Sequence, residues 1–72
     1  MSKIEWARDP DDDRYFIAVV DGVSVRALKA FPDWYVCAEN AVIDKAVHAN
    51  LPDRDEAARH VVAAMKTLTG EP

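Results

Sequence analysis

The sequence predicts a small α+β domain, a three-stranded antiparallel meander sheet followed by two helices (β-β-β-α-α), spanning residues 1–72. Asp21-Gly22 separates two apolar runs, a pattern typical of a two-residue β-hairpin turn. The stretch WYVCA at residues 34–38 is rich in aromatic and β-branched residues, which favour strands. Residues 51–70 carry a helix start signal, an apolar stripe and a stop signal.

The Asp21-Gly22 turn sets the register of the first two strands, residues 14–20 and 23–30. Val20 is then expected opposite Val23, and the pairs that follow make one face of the ribbon wholly apolar: Ala18 with Val25 and Phe16 with Ala27. That face is predicted to lie against the helix. The other face is more apolar than a solvated face requires. It carries Tyr15, Ile17, Val19, Ser24, Arg26 and Leu28.

Residues 39–50, ENAVIDKAVHAN, fit a helix better than a strand. When residues 42–49 are read as a strand, both faces mix polar and apolar side chains. When they are read as a helix, polar and apolar side chains separate into two arcs and Asn40 is a suitable N-cap. The alternative is a fourth strand, which would give β-β-β-β-α.

The last helix is the best-defined element of the sequence. Asp53 is expected to be its N-cap, with Glu56 three residues later, and Gly70 is expected to be its left-handed C-cap. One arc of this helix is apolar. It consists of Ala57, Ala58, Val61, Met65 and Leu68, flanked by Val62 and Ala64.

Composition excludes several functional classes. The formal net charge of −4 argues against free nucleic acid as a partner and favours a protein with a basic surface. No apolar run reaches the roughly 18 residues of a membrane span. A single cysteine, Cys37, and an N-terminus without an apolar signal segment predict a cytoplasmic protein. Residues 1–13 are interpreted as partly an acidic N-terminal arm.

No catalytic, metal-binding or cofactor signature is evident, so a non-enzymatic protein is expected. Cys37 would need His48 or His60 as a base to act as a nucleophile, and the sequence places neither beside it. Asp9, Asp11 and Asp13 have the spacing of a calcium loop, but the required Gly and Glu are missing from its sixth and twelfth positions.

The stretch FPDWYVCA, followed by a helix that opens Asp-x-x-Glu-Ala, resembles a short piece of the HicB-type antitoxins. In that family, strands lead into an F-P-D-L-P-G-C-like turn and then a helix. This chain departs from the pattern at Trp34-Tyr35-Val36 and has extra residues before the helix. The family is therefore not carried over to this chain, although an antitoxin role would agree with an acidic inhibitor.

These observations predict a protein-binding module, in particular an inhibitor or regulator of the anti-CRISPR or antitoxin kind found in phages and mobile elements. Its carboxylates would imitate nucleic acid toward a basic protein surface. The alternative is an accessory subunit or homodimer that uses the outer sheet face. The candidate partner-binding residues are Asp9, Asp11, Asp12, Asp13, Tyr15, Arg26, Leu28, Asp33, Glu39 and Asp44.

Overall fold

A computed structural model describes residues 3–70 and shows a five-stranded antiparallel sheet with one helix on one face. The strands lie side by side in chain order. The elements are β1 (Ala7–Arg8), β2 (Tyr15–Val20), β3 (Val23–Ala30), β4 (Asp33–Asn40), β5 (Lys45–Leu51) and α1 (Arg54–Thr69). The predicted three-stranded sheet with two helices is therefore wrong, and the β-β-β-β-α alternative is one strand short.

The β2–β3 hairpin has the predicted register. Val20 pairs with Val23, and the pairing continues through Ala18 with Val25 to Phe16 with Ala27. Asp21 and Gly22 have φ values of 51° and 79°, the two left-handed residues that a type I′ turn requires. The local turn chemistry was therefore sufficient to predict this part of the sheet.

The predicted helix over residues 39–50 is instead the end of β4, a turn and strand β5. The Asn40 side chain accepts hydrogen bonds from the backbone N–H groups of Val42 and Ile43 at 3.0 and 3.4 Å, which organises the turn. Asp44 leaves the turn in the left-handed conformation, with φ of 53°. The strand alternation of residues 42–49 is mixed because residues 42–44 belong to this turn. From residue 45 onward it places Val47, Ala49 and Leu51 toward the core.

The additional strand, β1, is too short for a periodic signal. Ala7 pairs with Ile17 and Arg8 pairs with Phe16, so the strand is held by only two residue pairs. It belongs to the segment interpreted as part of an acidic arm. Just before it, Ile4 and Trp6 pack against the core, which anchors this segment to the sheet.

Helix α1 has both predicted caps. The Asp53 side chain accepts hydrogen bonds from the N–H groups of Asp55 and Glu56, and Gly70 ends the helix with φ of 77°. The helix packs most extensively on β4 and β5. The predicted apolar stripe needs one correction, because Val62 is buried while Leu68 lies half exposed on a flank of the helix.

The core lies between α1 and one face of the sheet, and it is built from small side chains. Its largest fully buried members are Val25, Val36 and Val61. The alanines at positions 27, 57 and 58 are also fully buried, which lets the helix approach the sheet closely. No helix within residues 3–70 is both long and apolar enough to span a bilayer.

Candidate functional site

The face of the sheet opposite α1 carries no helix of the described chain. Pairing across β2, β3 and β4 aligns its side chains in rows. One row runs from Tyr15 through Leu28 to Tyr35, and the next runs from Ile17 through Arg26 to Cys37. Apart from the exposed Arg26, these side chains are only partly exposed. We call this surface the outer face, defined by Tyr15, Ile17, Arg26, Leu28, Tyr35 and Cys37.

Four of the ten predicted partner-binding residues meet at one end of the outer face. The Arg26 guanidinium lies over the Tyr15 ring at 4.2 Å and forms an ion pair with Asp9 at 3.3 Å. Leu28 is the cross-strand neighbour of Tyr15. Sequence spacing gave no reason to join Asp9 to this group. The short strand β1 places Asp9 there, because β1 directs the chain past the start of β2.

The acidic loop, residues 9–14, is shaped and partly neutralised by arginines. Arg14 holds the Asp12 carboxylate with two nitrogens, Nε at 3.0 Å and a terminal nitrogen at 2.8 Å. Arg8 donates to the backbone carbonyl of Asp13 at 2.6 Å. Asp11 and Asp13 are exposed, and no ion pair within residues 3–70 involves them. They are therefore the loop carboxylates that no ion pair of the described chain neutralises.

The bidentate contact with Arg14 lowers the pKa of Asp12 from 3.8 to about 2. We expect Arg14→Gln to return the pKa of Asp12 toward 3.8, as measured by NMR titration of the side-chain carboxyl. Because the folded-state pKa is lowered, the stabilisation by this pair is present above about pH 4 and is lost as pH falls through about 2.

The matched control for that titration is Arg8→Gln. The Arg8 guanidinium bonds the Asp13 carbonyl and not the Asp12 carboxylate, so this variant should leave the pKa of Asp12 low. An equal rise of the Asp12 pKa in both variants would show that general loop charge, rather than the bidentate contact, lowers it.

The remaining predicted residues do not join one surface. Asp33 begins β4 at the end of the sheet that also holds the acidic loop. Glu39 and Asp44 lie at the opposite end, close to the β4–β5 turn. The seven predicted carboxylates therefore do not form one continuous acidic patch. The carboxylates instead border the outer face at both ends.

Cys37 and His48 are direct cross-strand neighbours, a proximity that the sequence did not predict because residues 39–50 were interpreted as a helix. The His48 ring stacks on Tyr35 with ring centroids 5.6 Å apart. Partial burial raises the pKa of the Cys37 thiol, which keeps it protonated at neutral pH and makes it a poor nucleophile. His60 lies elsewhere, on the exposed side of α1. These contacts favour a packing role for Cys37 over catalysis.

Within residues 3–70, no three His, Cys, Asp or Glu side chains come close enough together to hold an ion. Asp9, one of the three aspartates with the spacing of a calcium loop, instead forms an ion pair with Arg26, and Asp12 of the same loop forms one with Arg14. The Asp9 side chain also accepts a hydrogen bond from the Asp11 N–H, so its oxygens serve the turn.

A shallow cleft of about 510 Å³ extends the outer face toward β1. Its lining combines apolar side chains with charges of both signs. Among the lining residues are Glu5, Ala7, Asp9, Ile17, Val19 and Arg26. This cleft forms because β1 pairs with only part of β2, so the Val19 side chain is left exposed beside it.

The two tryptophans lie outside the outer face and contact the start of α1. The Arg54 guanidinium lies within 5.0 Å of the ring centroids of Trp6, Phe16 and Trp34. Trp6 also donates its indole N–H to Asp55 at 2.7 Å. This aromatic cluster ties the start of α1 to the sheet and to the segment before β1, so its aromatics are structural rather than partner anchors.

Comparisons of this chain with models of protein families, with curated proteins and with solved structures found no significant match.

Proposed function

We propose that this chain is a small protein-binding module that recognises a basic partner protein through its outer face. The observation that carries the proposal is the continuous, partly apolar surface across β2, β3 and β4, which no element of residues 3–70 covers. Surfaces of this kind, with aromatic and arginine side chains and a polar rim, are typical of protein interfaces.

Charge at the border of the outer face supports a cationic partner. Asp11 and Asp13 lie at one end and Glu39 at the other, while the chain as a whole carries a formal charge of −4. Complementary charges mainly accelerate association, and salt screens them. An inhibitor that covers a nucleic-acid-binding surface would use both features, with apolar contacts for affinity and carboxylates for steering.

The test is capture of a partner on the immobilised full chain from a lysate of the source organism, at low and at high salt. We expect one protein with a basic surface to be retained by the native chain and lost with Leu28→Asp, because a charge on the outer face would be buried against the partner. Ala63→Asp is the matched control, since Ala63 is exposed on α1, away from the outer face.

Once the partner is purified, Asp11→Lys with Asp13→Lys should slow its association several-fold and reduce the salt dependence of the rate. Retention of the same protein by Leu28→Asp would contradict the outer face as the binding surface. Association that does not change with salt would contradict the role of the carboxylates. Self-association through the outer face, the alternative function, would appear as a homodimer that Leu28→Asp dissociates.

A further inference from the structure

Strand β5 leaves a complete row of backbone groups open at the edge of the sheet. It is the outermost strand, and its pairing with β4 is regular from Asn40 with Lys45 to Trp34 with Leu51. Its outward N–H and C=O groups therefore face away from the sheet. Edge strands are usually protected by proline, bulges or charges. In β5, Lys45 at the first position is the one charged side chain, and there is no proline.

The flank of α1 beside β5 is apolar. Asp55 and Lys66 lie on the opposite flank of α1, which faces the β2 side of the sheet. Asp55 accepts a hydrogen bond from Trp6, just before β1, and Lys66 forms an ion pair at 3.5 Å with Asp21, just after β2. At 100° per residue, Ala64 and Leu68 then lie on the β5 side. The half-exposed Leu68 thus adjoins the open edge.

The turn that leads into β5 adds further apolar surface at the end of the sheet where α1 ends. Val42 is 95% exposed and Ile43 is 36% exposed. An open backbone edge bordered by exposed apolar side chains is a typical site for adding another strand.

We propose that a second copy of this chain pairs antiparallel with β5, joining two five-stranded sheets into one of ten strands. All seven residues of β5 pair when His48 faces His48 of the second copy. In that register Val47 faces Ala49 and Lys45 faces Leu51, while Ala46 faces Asn50. On the helix side Val47 and Ala49 therefore meet as an apolar pair, and the stem of Lys45 lies against Leu51 rather than against another cation. On the outer side only small and polar residues meet.

The small core gives this pairing a physical reason. A domain of this size buries a limited fraction of its apolar surface, and oligomerisation is one common source of additional stability. Here the fully buried side chains are no larger than valine. Pairing along β5 would satisfy the open backbone groups and cover Leu68 on both copies. The outer face stays accessible in this dimer, so the pairing does not depend on the proposed function.

The native mass of the full chain, measured by sedimentation equilibrium, tests the proposal. One chain has a mass of 8.0 kDa, and twice that value is expected at micromolar concentrations.

Two double variants that differ from each other only at residue 50 test the register of the proposed pairing. Ala46→Lys with Asn50→Lys places like charges opposite each other at two symmetry-related positions of the proposed interface and should weaken the dimer about tenfold. Ala46→Lys with Asn50→Glu places opposite charges there and should restore it.

Both substituted positions are exposed, and circular dichroism checks that each variant remains folded. Leu28→Asp, on the outer face, should leave the dimer intact. A mass of 8.0 kDa up to millimolar concentrations would overturn the proposal. Equal effects of the two double variants would also overturn it, as would dissociation by Leu28→Asp.

Discussion

Val61→Asp is expected to unfold the domain. Val61 is fully buried between α1 and the sheet, and among residues 3–70 no polar or charged residue is buried in this core. An aspartate there would lose about 2 kcal/mol of apolar burial and place a carboxylate without a partner in an apolar site, at a cost of several kcal/mol more. A domain of this length has a total stability of only about 4 to 11 kcal/mol.

The measurement for Val61→Asp is far-UV circular dichroism with the dispersion of the amide NMR spectrum. Ala63→Asp is the matched control, because it puts the same residue two positions later on the exposed side of the same helix. It should change the free energy of unfolding by less than about 0.5 kcal/mol. A folded Val61→Asp protein would mean that α1 is not docked as described.

Ending the chain before Asp53 should also unfold the domain, since all of α1 would be removed.

Trp34→Ala is expected to destabilise the domain by about 2 to 3 kcal/mol, less than truncation of a fully buried aromatic side chain generally does, because Trp34 is only partly buried. The loss has two physical sources. Trp34 packs against the core and meets Phe16 edge to face with ring centroids 6.0 Å apart. It also provides a ring face for Arg54 at 4.8 Å and for Lys29 at 5.0 Å.

A double-mutant cycle separates these sources. Arg54→Met keeps a long apolar side chain but removes the cation, and it should cost about 1 to 2 kcal/mol through the lost cation–π contacts. In urea unfolding followed by circular dichroism, the Arg54 and Trp34 changes should be coupled by about 1 kcal/mol. Lys29→Met is the comparison, since it removes a cation from the same ring without touching α1. No coupling between Arg54 and Trp34 would show that the guanidinium adds nothing beyond packing.

The sequence predicted which hairpin residues form the outer face. It did not predict which charged residues contact them, because those contacts depend on the fold. Alternation in the hairpin assigned Tyr15, Arg26 and Leu28 to one surface, and the pairing confirms this. The ion pair of Asp9 with Arg26 joins residues 17 positions apart, so it depends on where β1 lies. The stacking of Tyr35 with His48 likewise required β5. Such contacts between strands are not encoded in local spacing.

Local chemistry by itself determined the hairpin, its register and the last helix. Asp21-Gly22 specifies a turn because both residues tolerate positive φ, and Asp53 and Gly70 satisfy orphan backbone groups at the helix ends. These signals act within a few residues, so no other part of the chain is needed to interpret them.

Only the tertiary structure decided the state of residues 39–51 and the existence of β1. Residues 46–51 separate into clean faces only once the turn before them is excluded, and pairing with β4 is what makes them a strand. β1 is two residues long and exists because β2 offers it a partner. Both β1 and β5 form because another strand offers them backbone N–H and C=O groups to pair with. The local sequence pattern carries no information about that partner strand.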